Sequence, residues 1–236
     1  MIGASDIKQG GIPVKVRLIA LFLLLAIALA ACSSGSSDLS GTVEAASGAG
    51  NVPDVDIGEI DGNTYRHVDL GFSVTFPDDW SLGESSVIVE ENGEIASNDL
   101  DRAEVLDAVN AGDDVSIFVA HDADDLFTNV LLSVSLNPLP ASAPDSDDFV
   151  NRFAPLIRQE YAAYDAWTLL SCDPFDADFC GEDHVALKLS VSGGSTQQFE
   201  KMLMYFPCGD LLYTLTVTGT DADAVAEILN LFEATD

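Results

Sequence analysis

VALKLSVSGGSTQQFEKMLMYFPCGDLLYTLTVT, residues Val185 to Thr218, holds three strand-like runs separated by two turn signals. Val185, Leu187, Leu189 and Val191 alternate with Ala186, Lys188, Ser190 and Ser192, the pattern of a strand with one apolar face. Ser192-Gly193-Gly194-Ser195 is a tight turn, and Gln197 to Phe206 returns as a strand. Pro207-Cys208-Gly209-Asp210 then turns the chain into Leu211 to Thr218. Strands joined by such short connections pair antiparallel.

On the carboxy-terminal side, Thr220 is the expected cap of a last helix, with Asp223 in the capping-box position and Val225, Ile228, Leu229 and Phe232 on its buried face. On the amino-terminal side, Trp167 to Cys172 is a strand candidate. Before it, Phe149, Phe153, Ile157 and Tyr161 recur every four residues and predict a helix over 146–164. Pro155 inside that pattern predicts a kink or a late start. Val130, Leu132, Val134 and Leu136 form one alternating run and Val115, Ile117 and Val119 another, with the hairpin connection HDADDLFTN between them. Asn98 to Val109 reads as a helix, with Asn98 as cap and Leu100, Ala103 and Leu106 on one side. Ser86 to Glu90 is a short strand, and Phe72, Val74 and Phe76 alternate with Ser73 and Thr75 in another. Hairpins interrupted by a long middle helix and closed by a terminal one make an α+β fold: an antiparallel sheet with helices packed on it.

Gly71-Phe72-Ser73-Val74-Thr75-Phe76-Pro77-Asp78-Asp79-Trp80 resembles the opening of the PsbP-like family, in which a strand ending in Pro and Trp begins an α/β/α sandwich. The resemblance extends over residues 65–234 in the order of elements, and it includes bacterial lipoproteins of the LpqN or DcrB type. It implies binding or assembly rather than a shared reaction. It carries over no catalytic residue and no cofactor, and fold likeness alone licenses no function.

The 236 residues suffice for one domain or two small ones. The first of them read as a leader. Lys15 and Arg17 precede an apolar run from Leu18 to Ala31, too short for the roughly 20 residues that span a bilayer core. Leu29-Ala30-Ala31-Cys32 resembles the bacterial lipobox, which implies lipid transfer to Cys32 and cleavage after Ala31. The rivals are an ordinary secretory signal with a chance cysteine and an uncleaved membrane helix. Buried acyl chains contribute about 0.8 kcal/mol per CH₂, so more than one chain anchors stably. The expected organisation is a signal peptide over 1–31, a lipidated cysteine and flexible Ser, Gly, Ala and acidic tether over 32–63, and the folded domain over 64–236. A tether of that composition reaches roughly 30 Å. The domain is therefore expected outside the cytoplasm, lipid-anchored to the cell membrane or outer membrane. Ser33 is not the Asp that resembles an inner-membrane retention signal.

The formal charge is −31. Loss of residues 1–31 removes Lys8, Lys15 and Arg17 against Asp6 and makes it −33. Such a surface repels nucleic acid and anionic headgroups, so neither is an expected partner. Salt adaptation, solubility, and binding of cations or of a basic partner remain as explanations. A protein or small-molecule partner is left open, and the membrane is reached through the lipid on Cys32.

Cys172, Cys180 and Cys208 are expected to converge at one end of the sheet, and an exported compartment favours a disulfide among them. Cys172–Cys180 closes the shortest loop, with Cys208 as the alternative partner of either. Adding His184 would complete a Cys₃His zinc set, although the spacing does not match short zinc knuckles. Asp173, Asp176, Asp178, Glu182 and Asp183 crowd one loop and Asp122, Asp124 and Asp125 another, yet neither has calcium-loop spacing. The rival reading to a binding module is thus a calcium- or zinc-binding envelope protein, with no metal ligand assigned. His121-Asp122 could form half of a triad, but no nucleophile elbow, metalloprotease motif, P-loop or dinucleotide fingerprint accompanies it, so no catalytic residue is assigned and no enzyme is expected. Tyr65, Phe72, Trp80 and Trp167 are expected in the core rather than along a ligand groove.

Overall fold

The structure is a computed structural model and describes residues 52–82, 102–125, 127–139, 146–163, 167–193 and 197–235. The leader, Cys32, and the strand expected over 86–90 lie outside the described residues. The elements in chain order are β1 (Glu59–Asp61), β2 (Thr64–His67), β3 (Phe72–Thr75), β4 (Trp80–Leu82), α1 (Arg102–Ala111), β5 (Val115–Asp122), β6 (Asn129–Leu136) and α2 (Ser146–Ala162). Then follow β7 (Trp167–Phe179), β8 (Glu182–Gly193), β9 (Gln197–Cys208), β10 (Leu211–Gly219), α3 (Ala222–Leu229) and β11 (Phe232–Ala234).

The fold is α+β and antiparallel throughout, with two sheets rather than one. Seven strands run in the order β4-β5-β6-β10-β9-β8-β7, and four in the order β1-β2-β3-β11. The meander over 185–218 forms the centre and one side of the large sheet, with Leu189 opposite Lys201 and Thr214 opposite Tyr205. β10 also pairs with β6, placing Tyr213 opposite Val134 and joining the two halves of the chain.

Three layers result. On one face of the large sheet lies α2, whose Phe149, Phe153, Ile157 and Tyr161 meet Leu187, Leu189, Leu203 and Tyr205. On the other face lie the small sheet, α1 and α3. There Tyr65, Phe72 and Val74 join Val105, Val109, Val225 and Ile228 over Phe118, Leu132, Tyr213 and Leu215. Each buried Leu, Val or Phe stabilises by about 1.5–3 kcal/mol. Strand faces that alternation marks as polar are covered too: Asn129, Ser133, Ser135, Thr216 and Thr218 are buried.

Four boundaries differ from the sequence reading, each for a local reason, and the start of α2 agrees with it. The domain begins earlier than residue 64. Val52 and Val55 are buried and β1 pairs with β2, so 52–63 belong to the fold rather than to the tether. β7 does not stop at Cys172 but runs on through Asp173, Pro174 and Asp176 to Phe179. It is an edge strand, and an edge tolerates Pro and carries charge because one side of it has no ladder. α2 starts at Ser146 and passes through Pro155, so the late start is excluded. Asp221, not Thr220, caps α3: its Oδ1 accepts from the Ala224 N–H at 2.9 Å. Phe232 lies beyond α3, in β11, where it pairs with Val74 of β3.

Among the described residues no helix is long and apolar enough to cross a membrane.

Candidate functional site

α3 crosses β9 and β10 and leaves a groove between itself and the strands on the β7 side. Its volume is about 300 Å³. Ala177, Met202, Val225, Ala226 and Leu229 supply apolar lining. Phe175 stands at the edge, 42% exposed, with the Lys188 Nζ 5.5 Å from its ring centroid. Glu200, on the same face of β9 as Met202, adds a carboxylate; Asp176 and Asp178 border the groove through β7, but they alternate with Ala177 and Phe179 and so share the face of Cys172, toward α2. Lys201 also borders the groove, but its Nζ lies over Phe199, 5.6 Å from the ring centroid, among the residues that meet α2. An apolar lining with a few polar groups around it is the usual form of a binding site.

A second polar constellation fastens residues 52–58 to the core. The Asp56 N–H donates to Tyr213 Oη at 3.2 Å, and the Tyr213 hydroxyl stands 3.1 Å from the Asp56 carbonyl, to which it donates. Asp56 Oδ1 accepts from the Gly58 N–H at 2.9 Å, and Oδ2 accepts from the Asp69 N–H at 3.0 Å. Oδ2 also faces Nδ1 of the fully buried His67 at 3.2 Å. Upstream, Val52 exchanges hydrogen bonds with the Asn110 side chain, and Arg102 pairs with Asp54 at 2.9 Å.

Burial works to raise the Asp56 carboxyl, but the Asp69 and Gly58 amides, His67 and Arg102 together hold it below its ordinary range. Burial pushes the His67 imidazole down despite the nearby carboxylates of Asp56 and Asp69. A His–Asp pair is a familiar acid–base arrangement. Here the imidazole is enclosed by aromatic rings, with Tyr213 edge-on at 4.9 Å and Phe72 at 6.0 Å, and its Nε2 is buried without a hydrogen-bond partner. A catalytic base must reach a substrate proton, and this one is sealed; the pair is a fastening. Sequence reasoning placed Asp56 in the tether and assigned no role to His67. The available signal was the apolar spacing of Val52, Val55 and Ile57.

Two further residues, Asp114 and Glu160, are half-buried on the other side of the large sheet, each with one carboxyl oxygen buried. Burial raises Asp114 to about 6 against a hydrogen bond from Ser133, and raises Glu160 to about 7 against the attraction of Lys201.

Cys172, Cys180 and Cys208 are unpaired in the structure, with no two of them at disulfide distance. Cys172 lies mid-strand opposite Leu189 and packs with the residues under α2. Cys180 occupies the β7–β8 turn and Cys208 ends β9, both against the opposite core. The extension of β7 past Cys172 separates them. His184 packs between Phe179 and Phe206, at 5.9 and 5.4 Å. Among the described residues no group of three or more His, Cys, Asp and Glu is arranged to hold a metal ion. The acids of 122–125 serve their own turn: Asp122 accepts from the Asp124 and Asp125 amides, and Asp125 from the Phe127 amide and the Thr128 hydroxyl. Tyr65, Phe72 and Trp167 are buried as expected, and Trp80 is half-buried against Phe76 at 4.8 Å.

No family model and no curated protein matches the chain. Solved structures do. The chain is similar to cyanobacterial PsbP (CyanoP) from Synechocystis sp. PCC 6803, with 14% identity over 75% of this chain and 98% of that one and a TM-score of 0.41. It is also similar to LpqN of Mycobacterium tuberculosis, described as involved in cell envelope biogenesis, with 14% identity over 70% and 83% of the two chains and a TM-score of 0.38. A third structure, of a Bacteroides thetaiotaomicron protein, has 18% identity over 75% of this chain and 50% of that one, with a TM-score of 0.34. PsbP and LpqN are of the kinds named by the resemblance in Gly71–Trp80.

Proposed function

We propose that this chain is a lipoprotein of the cell envelope, held to a membrane by lipid on Cys32, whose domain is a non-enzymatic binding or assembly module. The groove beside α3 carries the reading: it is concave, apolar inside and charged at its edge. The His67–Asp56 pair does not argue for catalysis, because its imidazole is fully buried. LAAC at 29–32 supports the anchor.

Two measurements test the two halves. Mass spectrometry of the native protein should find residue 32 at the amino terminus and acylated; an unmodified Cys32 or a retained leader overturns the anchor. Cross-linking in cells, compared between the native chain and Ala226→Trp, should recover a partner from the native chain alone. Ala226 lines the groove, so a partner recovered equally by both would not sit there, and no partner in either would overturn the module.

A further inference from the structure

We infer that the open edge of β7 between Pro174 and Phe179 takes an extended basic segment of a partner protein as an added antiparallel strand, whatever the groove beside α3 holds. β7 ends the seven-stranded sheet and pairs with β8 on one side only. The Cys180-Gly181 turn, with φ 56 and 81, is the two-residue hairpin type whose flanking residues, Phe179 and Glu182, are hydrogen-bonded to each other. Bonded and unbonded pairs alternate from there. The backbone groups of Phe175, Ala177 and Phe179 therefore turn to β8, and those of Cys172, Pro174, Asp176 and Asp178 turn outward. Two observations agree: Pro174, which has no N–H, falls in the outward set, and the Cys172 carbonyl accepts from Arg158 of α2. Together with the register shift at Leu170, they close the edge toward the start of β7. Asp176 and Asp178 keep outward N–H and C=O groups that meet no strand among the described residues, a template for another chain.

The side chains select the occupant. Asp176 and Asp178 are exposed on the α2 face, and neither has an ion pair among the described residues. A second copy paired edge to edge would set Asp against Asp, and the formal charge of −31 repels it at longer range. The charges that bar a second copy fit a basic strand. Residues directly opposite each other share a face, so Lys or Arg fits opposite Asp176 and Asp178. An apolar residue fits between them, opposite Ala177 and beside the Phe175 ring, which is 42% exposed on that other face. The recognised pattern is basic, apolar, basic.

The test uses the full native chain and fluorescence anisotropy of short labelled peptides. A peptide of alternating Lys and Val should bind, and its Glu/Val counterpart should not. In the antiparallel pairing the Lys amides face β7 and the Val amides face away. Backbone N-methylation at the Lys residues should therefore abolish binding, and N-methylation at the Val residues should preserve it. Asp176→Asn with Asp178→Asn should weaken binding about tenfold. Asp61→Asn with Asp107→Asn makes the same change of charge at exposed positions away from β7, and should weaken it less than about threefold. Equal weakening by the two pairs would show general attraction to an acidic surface and overturn the inference. So would any other pattern of N-methylation effects, equal binding of the Lys and Glu peptides, or none of either. Ala226→Trp should leave the affinity unchanged, and loss of binding there would place the peptide in the groove and remove the edge from the account.

Discussion

Tyr213 and Asp56, 157 residues apart, exchange two hydrogen bonds, the hydroxyl accepting from the Asp56 amide and donating to its carbonyl. One side chain on the central strand β10 thereby satisfies both backbone groups of a residue in an otherwise irregular segment. Tyr213→Phe keeps the ring and removes both bonds. A part-buried amide and carbonyl would then lack partners, at a cost of about 1–3 kcal/mol in urea unfolding. Hydrogen exchange at the Asp56 amide should accelerate as well. An unchanged midpoint and an unchanged exchange rate would refute the fastening.

Gly58 sits beside the same clasp with φ +71, and a Cβ there would lie 2.4 Å from Tyr65 Oη. Tyr65 is fully buried, stacked on Phe118 at 3.9 Å, and donates to the Ile57 carbonyl. Gly58→Ala combines an unfavourable backbone region with overpacking, so a loss of about 2–4 kcal/mol is expected. A thermal midpoint within a degree of the native one would contradict the described approach.

His67 and Asp56 make stability fall with acid. The imidazole titrates below 6.5 when folded, so the unfolded chain binds its proton first. Its contribution is complete above about 6.5 and lost as pH falls toward the lowered folded value. The carboxyl of Asp56, held below 3.8, contributes above that value and is lost as pH falls further. His67→Gln should flatten the decline between pH 6.5 and 5 in a series of melts. A slope identical to that of the native chain would count against it.

Asp114 and Glu160 act with the opposite sign. Their folded values are raised to about 6 and about 7, so each burdens the fold increasingly as pH rises through the window from its ordinary value to the raised one. Asp114→Asn and Glu160→Gln should each stabilise by about 1–2 kcal/mol at pH 8 and by much less at pH 4. Equal effects at both pH values would show that the charge is not what matters.

Thiol chemistry separates the observed sheet from the expected disulfide. After purification without reductant, Cys172, Cys180 and Cys208 should all react with a thiol reagent once the chain is denatured. In the folded chain Cys172 should react slowest, because it is buried and burial raises its pKa. An intact mass two hydrogens short would restore a disulfide.

Alternation of apolar residues is enough to place the strands of the meander, because that period reports which side of a strand meets a core. It also places the long helix, whose four-residue recurrence survives Pro155. The groove is a different matter. Phe175 reads as part of an acidic loop, Val225 and Leu229 as helix core, and Met202 as one residue of a strand. Nothing local to any of them tells that α3 stops short of β7.

The same limit explains the cysteines and the amino-terminal segment. Asp173-Pro174-Phe175-Asp176 carries every local mark of a loop. It is a strand because it lies at an edge, where pairing on a single side excuses a missing N–H and solvated charge. Being at an edge is a property of the assembled sheet. Val52 to Gly58 likewise looks like the end of a flexible linker, and its order comes from Tyr213, Asn110 and Arg102, groups distant in the chain. Period and turn chemistry act between near neighbours, so they are written along the chain; sheet edges, layer contacts and long-range clasps exist only after the loops have closed.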